Sequence, residues 1–142
     1  MTAYDDSATI ITLLSTELDS LADVTRVLGA SKDPLDELWG DFELALTYAV
    51  VPSAGTIVAE VALLVTVDGT NFPAGSATLD PQEFLIRYLF ESRLPSTSVI
   101  ERLIIPGVPA PARNFKAWLK NTAGQAYSSS GNTLKFKPYK TD

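Results

Sequence analysis

The chain of 142 residues contains no cysteine and no histidine. Without cysteine it has no disulfide, no thiol nucleophile and no thiolate ligand for a metal ion. Without histidine it lacks the commonest general base, the middle member of a Ser-His-Asp triad and a frequent ligand of zinc. Only carboxylate, hydroxyl, lysine or tyrosine chemistry remains. We therefore expect a protein that is not an enzyme and has no catalytic residues, no metal and no cofactor.

Long apolar runs are also missing. No segment approaches the ~20 apolar residues that a membrane-spanning helix needs. Residues 1–6 (MTAYDD) have none of the basic side chains that begin a signal peptide. We therefore expect no membrane partner and folding in a cytoplasm. The length is that of one domain, and the apolar content of 46% is typical of a globular protein.

Basic residues are scarce in the first part of the chain. Residues 1–90 carry 3 basic and 14 acidic side chains, whereas residues 91–142 carry 8 basic and 3 acidic ones. The net charge of −6 argues against binding to nucleic acid. Two interpretations of the asymmetry stay open. Either the two parts interleave and neutralise each other, or a basic side of the molecule docks on an acidic surface.

What the sequence does contain is alternation with a period of two, which places successive side chains on opposite faces of a strand. The clearest run lies within residues 55–75, where Ile57, Val61 and Val65 share a wholly apolar face. The predicted strands span residues 25–32, 38–50, 55–67, 84–91, 99–105, 114–120 and 133–139. We expect the strands 38–50 and 55–67 to form an antiparallel hairpin through their short loop. Because prolines cannot enter a central strand, we expect residues 106–111 to be a surface connector.

These elements predict an all-β fold, a single-domain β-sandwich with seven or eight antiparallel strands. The long connections 71–81 and 106–113 favour Greek-key crossings and hence a jelly roll. Residues 1–24 are expected to form an N-terminal arm (residues 1–8) and one short helix around 16–22. Residues 25–142 would form the sandwich. The β-branched residues 9–12 leave a strand there as an alternative.

Two groups of oxygen-bearing side chains are candidate sites. Asp68 and Asn71 flank Gly69 and are able to supply ligands for Ca²⁺, but a hard cation needs six or more oxygens. An Asp-Gly turn that bonds its own backbone is favoured over a metal site. A second group is acidic and adjoins Trp39; it comprises Asp33, Asp36, Glu37 and Asp41. It fits an exposed strand entrance better than the paired carboxylates of a glycosidase.

Aromatic side chains are candidates for stacking against sugars, because a ring offers a flat apolar face beside a polar edge. The candidates are Trp39, Tyr48, Tyr88, Trp118 and Tyr127. Several of them lie on strand faces that we expect to be core.

A candidate docking surface comes from the last strands. Lys116, Trp118 and Lys120 alternate with apolar residues and are predicted to point outward, as are Lys135 and Lys137 of the final strand. If the two strands are neighbours, the five side chains form a basic patch around a tryptophan, a residue enriched at the centres of interfaces. A solvated sheet face is the alternative.

Three stretches taken together resemble a known family. They are LSTELDSLA at residues 14–22, VDGTNF at 67–72, and NFKAWLKN at 114–121, which continues into GQA at 124–126 and SGNTLK at 130–135. Their order and spacing resemble small structural proteins of tailed bacteriophages. In that family the pattern is a TELxSLA segment, an acidic strand, an SxDGTNY-like turn and an FKxxLKNxxGQ…SGNTLKxxPY ending. Thr66 and Phe72 here replace serine and tyrosine of the family pattern.

The resemblance implies a virion component with a jelly-roll-like sandwich, most readily a capsid decoration (cement) protein on the exterior of the head. Its expected partners are the major capsid protein and further copies of itself, with a trimer as one arrangement. Two alternatives remain. The chain belongs to the tail, the collar or the fibre base, or it is a carbohydrate-binding module on the virion.

Overall fold

Nine strands and one short turn of 3₁₀ helix make up the part of the chain that the structure describes. This computed structural model describes residues 4–5, 9–82 and 85–141, with backbone alone for 4–5 and 140–141. The strands are β1 (Tyr4–Asp5), β2 (Ile11–Leu14), β3 (Arg26–Leu28), β4 (Trp39–Leu46), β5 (Ile57–Val65), β6 (Arg87–Glu91), β7 (Glu101–Pro109), β8 (Phe115–Asn121) and β9 (Thr133–Thr141). The 3₁₀ turn spans Thr16–Leu18.

The strands follow the path of a long hairpin that has been rolled up. β2 pairs with β9, β3 with β8, β4 with β7 and β5 with β6, always antiparallel. Rolling brings β4 against β9 and β5 against β8. The result is a first sheet in the order β1-β9-β4-β7, with β2 also on β9, and a second sheet in the order β3-β8-β5-β6. The prediction of an all-β, jelly-roll-like sandwich is confirmed.

The core lies between the two sheets and is built from the inward positions of the alternating pattern. Phe42, at its centre, makes edge-to-face contacts with Phe136 at 5.3 Å and with Tyr88 at 5.2 Å between ring centroids. Gly40 lies directly against Phe136, and a Cβ there would collide with the ring. Glycine is therefore required at this position, because the buried ring has no free space to move into.

The N-terminal segment contributes to the first sheet. β2 lies along β9, with Thr12 opposite Lys135, and the 3₁₀ turn is limited to three residues instead of the helix expected around 16–22. The backbone of residues 4–5 pairs with Lys140 and Thr141, while the rest of the expected arm lies outside the described residues. Across the described ranges, no helix has the length and apolar content to cross a membrane.

The hairpin expected between residues 38–50 and 55–67 is wrong. The corresponding strands β4 and β5 lie in different sheets, and the chain crosses from one to the other between them. Tyr48 marks the crossing, because it leaves the first sheet and forms an isolated bridge with Tyr127. Alternation alone did not reveal this, since it shows which face is buried and not which strand is adjacent.

The proline-rich segment 106–111 also differs from its expected role as a connector. β7 runs through Pro106 and ends at Pro109. Its register against β4 shifts between Gly40 and Phe42. β7 is the last strand of its sheet, so one of its edges makes no ladder. Prolines are tolerated in such an edge strand because a missing N–H there breaks no inter-strand bond.

Candidate functional site

Trp118 is the residue on which the expected docking surface was centred, and it is buried. Its exposed fraction is 0%, and it packs with Ala62 and Leu64 on the outer face of the second sheet. The loop between β5 and β6 covers this face, and the indole Nε1 donates to the carbonyl oxygen of Ser76 at 3.1 Å. The interpretation of Trp118 as an exposed docking residue is therefore wrong.

Ion pairs hold the covering loop in place. Asp80 of this loop accepts from Arg26 of β3 and lies 3.6 Å from the Nζ of Lys120. The bond from Arg26 holds the pKa of Asp80 below its ordinary value. Lys116 places its Nζ 4.5 Å from the ring centre of Phe72, also in the loop. Both lysines thus serve the packing of the loop.

The other two lysines of the expected patch lie on the opposite side of the molecule. Lys135 and Lys137 belong to β9 in the first sheet, whereas Lys116 and Lys120 belong to β8 in the second. The five predicted residues therefore do not form one surface. The chain passes from the second sheet to the first between β8 and β9. The alternating pattern shows which side chains point outward, but it does not show which sheet a strand belongs to.

The outer face of the first sheet pairs acidic with basic strands. Glu43 lies opposite Lys135 and Asp41 opposite Lys137 in the register of β4 and β9. On its other side, Glu43 accepts from Arg102 at 3.0 Å. The uneven charge along the chain is thus complemented across neighbouring strands. A shallow cleft of about 220 Å³ opens on this face, lined by Ile10, Asp41, Phe42, Glu43, Ile104, Lys135 and Lys137.

Among the aromatic candidates for sugar stacking, Trp39 is exposed to 41%, whereas Tyr48, Trp118 and Tyr127 are buried and Tyr88 is partly buried. Trp39 lies on the same outer face as the cleft, opposite Tyr139 of β9 and Pro109 of β7. Trp39 is thus the accessible ring among these candidates, and it shares a sheet face with the cleft without lining it.

The Asp68 loop is occupied by its own hydrogen bonds. The Oδ1 atom of Asp68 accepts from the N–H of Asn71 at 2.7 Å and of Thr70 at 2.8 Å, and Oδ2 accepts from the Asn71 side chain at 2.7 Å. The bonds from Asn71 and Thr70 hold the pKa of Asp68 far below its ordinary value. Within the described ranges, no three acidic side chains come close enough to hold a metal ion.

Two neighbouring loops at one end of the sandwich present an apolar surface that the sequence did not single out. We call it the apolar end; its side chains are Val50, Val51, Leu94, Val99 and Ile100. All five are exposed, and Leu94 reaches 85%. Ser92 joins the two loops through backbone bonds, donating to Thr56 and accepting from Gly55.

The buried carboxylate of Glu101 connects the two loops of the apolar end by hydrogen bonds. Glu101 is 7% exposed, and its Oε1 accepts from the hydroxyls of Tyr48 and Ser92, both at 2.8 Å. Its Oε2 accepts from the N–H of Arg93 at 2.9 Å and of Leu94 at 2.7 Å. Burial acts to raise the pKa of Glu101, but the four hydrogen bonds outweigh it and leave the pKa below its ordinary value of 4.5.

A signal for this anchor exists in the sequence. Glu101 occupies the same strand face as Leu103 and Ile105, so a carboxylate interrupts an otherwise apolar face. A charged side chain in such a position is either a break in the strand or a buried group with several donors. Only the positions of the donors distinguish the two; three of the donors lie in the loop that precedes β7, and the fourth is the distant Tyr48.

Comparisons with known proteins identify no family. No protein-family model matches the chain, and no curated protein matches its sequence. A search of solved structures finds similarity to the carbohydrate-binding module TmCBM61, solved in complex with β-1,4-galactotriose. The identity is 9% and the TM-score 0.31, over 100% of this chain and 86% of that one. A likeness of this size carries no argument about function.

Proposed function

We propose that the chain is a non-enzymatic structural protein of a tailed bacteriophage virion, a decoration protein that binds the exterior of the head through its apolar end. The motif resemblance supports membership of the virion. The apolar end is the observation that carries the docking role, because five exposed aliphatic side chains in two adjoining loops at one end of the sandwich are a concentration of apolar surface that a partner would cover.

Rigidity of the apolar end fits this role. Glu101 connects β7 to both loops by four hydrogen bonds, which fix the side chains of Tyr48 and Ser92 and the backbone of Arg93 and Leu94 before a partner arrives. Preorganised loops lose less conformational entropy on binding than loops that must first be ordered. Two stiff loops that present five aliphatic side chains suit the bridging of capsid subunits, which needs surface contact and no chemistry.

Substitution of Leu94 or Val99 by lysine tests the proposal. Each variant should bind decoration-free heads at least about tenfold more weakly, because an ammonium would have to lose its water in the contact. Val67→Lys is the matched control; Val67 is an exposed aliphatic residue that follows β5, outside the apolar end. Binding is measured by co-sedimentation with heads, and head stability by thermal release of DNA.

Three outcomes would contradict the proposal. The first is that heads without the protein withstand heat as well as complete heads do. The second is that Val67→Lys weakens binding as much as Leu94→Lys does. The third is immunogold label on tails, collars or fibre bases instead of heads, which would show that the protein belongs to that part of the virion.

The cleft on the outer face of the first sheet favours a second candidate, binding of a carbohydrate. A sugar offers hydroxyls and one apolar ring face. The cleft supplies Asp41, Glu43 and Lys135 as hydrogen-bonding groups, and Trp39, which does not line the cleft, is an exposed ring on the same face of β4 as Asp41. The volume of about 220 Å³ is of the size of a single sugar unit.

This candidate predicts that Trp39→Ala weakens binding to a glycan array while leaving the fold intact. Leu38→Ala, which shortens the exposed neighbour of Trp39, is the control and should bind as the wild type does. The affinity of Trp39→Ala should fall at least about tenfold, because the stacking surface is lost. If the wild type binds no glycan, or if both variants bind equally, the cleft is not a sugar site.

A further inference from the structure

The last strands of the two sheets, β6 and β7, lie on the same side of the sandwich with a groove between them. The groove measures about 370 Å³, and both strands contribute to its walls. Exposed aliphatic side chains follow this side of the molecule; we call it the open edge, defined by Ile86, Leu89 and Ile104. Ile104 is 61% exposed.

The edge of β7 is available for pairing over a defined length. On the opposite side of the first sheet, β1 and β2 cover β9, whereas no strand among the described residues lies beyond β7. Such an edge is a template for another strand. Pro106 has no N–H to donate, so the stretch able to form a regular ladder runs from Glu101 to Ile105, with Leu103 at its centre.

Two pairs of opposite charges lie beside the open edge. Arg93 lies near Glu91, at 3.9 Å, and Arg102 pairs with Glu43 at 3.0 Å. A surface with balanced charges is able to complement its own copy, whereas a surface of one sign would repel it. The occupant that fits both the strand edge and the charges is a second copy of this chain.

We propose that two copies associate through antiparallel pairing of β7 with β7 about a two-fold axis at Leu103. In this register Arg102 lies opposite Ile104 of the second copy, and Glu101 lies opposite Ile105. No two like charges face each other, and Pro106 of each chain falls just beyond the paired stretch. The first sheets of the two copies then form one continuous sheet.

Two substitutions that introduce opposite charges at position 104 test the pairing. Ile104→Lys places a positive charge opposite Arg102 of the second copy and should raise the dimer dissociation constant about tenfold relative to Ile104→Glu, which places a negative charge there. Val67→Lys, far from the edge, should leave the dimer unchanged. Sedimentation equilibrium of the full chain gives the constants, and circular dichroism shows whether each variant is folded.

Disulfide crosslinking tests the register. Because the chain has no cysteine, the introduced cysteines are its only thiols. Arg102→Cys combined with Ile104→Cys brings thiols face to face across the pair, whereas either substitution alone leaves its thiol opposite an uncrosslinkable side chain. Oxidation should therefore yield a covalent dimer of the double variant and none of the single variants. Efficient crosslinking of Ile104→Cys alone would place the axis elsewhere and overturn the register.

The proposal of a dimer and the proposal of head binding are tested separately. A wild type that remains monomeric at all concentrations overturns the pairing, even if the variants of the apolar end confirm head binding. If Ile104→Lys loses head binding while its association state stays that of the wild type, the open edge binds a different protein and not a second copy. A dimer that fails to bind heads would leave the pairing intact and remove the proposed function.

Discussion

Replacement of Trp118 by alanine should lower the free energy of unfolding by about 3–5 kcal/mol, the usual cost of truncating a large buried side chain. Trp118 is fully buried between the second sheet and the covering loop, so the substitution removes the contacts with Ala62 and Leu64. It also leaves the carbonyl oxygen of Ser76 without its donor. Equilibrium denaturation in guanidinium measures the loss.

Trp39→Ala is the matched control for Trp118, because these are the two tryptophans of the chain and Trp39 is partly exposed. We expect its effect to stay within about 1 kcal/mol. Each single variant also isolates the fluorescence of the other indole, and Trp118 should be the one protected from a soluble quencher. Equal losses of stability, or a readily quenched Trp118, would show that the loop does not seal this face.

Replacement of Glu101 by glutamine is the second substitution with a large expected effect, about 2–3 kcal/mol at neutral pH. An amide keeps the shape of the carboxylate but has one acceptor oxygen where Glu101 has two. It therefore cannot accept from the two hydroxyls and the two backbone N–H groups together. Glu43→Gln, at a partly exposed ion pair, should cost no more than about 1 kcal/mol.

The effect of Glu101→Gln should depend on pH with a defined sign. Because the folded-state pKa of Glu101 lies below its ordinary value of 4.5, its stabilisation is complete above that value and is lost as the pH falls through the folded-state pKa. The difference in stability between wild type and Glu101→Gln should therefore be constant near neutrality and narrow below about pH 4.5. A difference that grows on acidification would mean that the carboxyl is protonated in the fold.

Much of the architecture follows from local pattern. Alternation located the cores of the seven predicted strands. The jelly roll itself comes from the pairing of β2–β5 with β9–β6, and the two connections expected to be Greek-key crossings differ from that expectation, because 71–81 joins the neighbouring strands β5 and β6 and 106–109 belongs to β7. Two of the errors share one cause. The hairpin expected between β4 and β5, and the patch expected from β8 and β9, both assumed that consecutive strands are neighbours. In a rolled hairpin, consecutive strands mostly lie in different sheets.

The candidate surfaces were less predictable than the fold. Trp118 alternates with two lysines, a pattern typical of an outward face, yet a loop many residues away covers it. The apolar end consists of residues in two loops that are separate in the sequence and adjoin through Ser92 and Glu101. Burial and adjacency are properties of non-local contacts, so neither is encoded in the spacing of nearby residues.

By itself the sequence determined the chemistry that is ruled out and the elements that form. Lack of histidine and cysteine removes whole classes of site, alternation specifies strands, and Asp68 forms its turn with donors two and three residues away. Only the tertiary structure decided which faces meet solvent and which strand edges stay open. The reason is physical: a strand's two faces and two edges are chemically defined by sequence, but packing against distant segments selects which of them remain available to a partner.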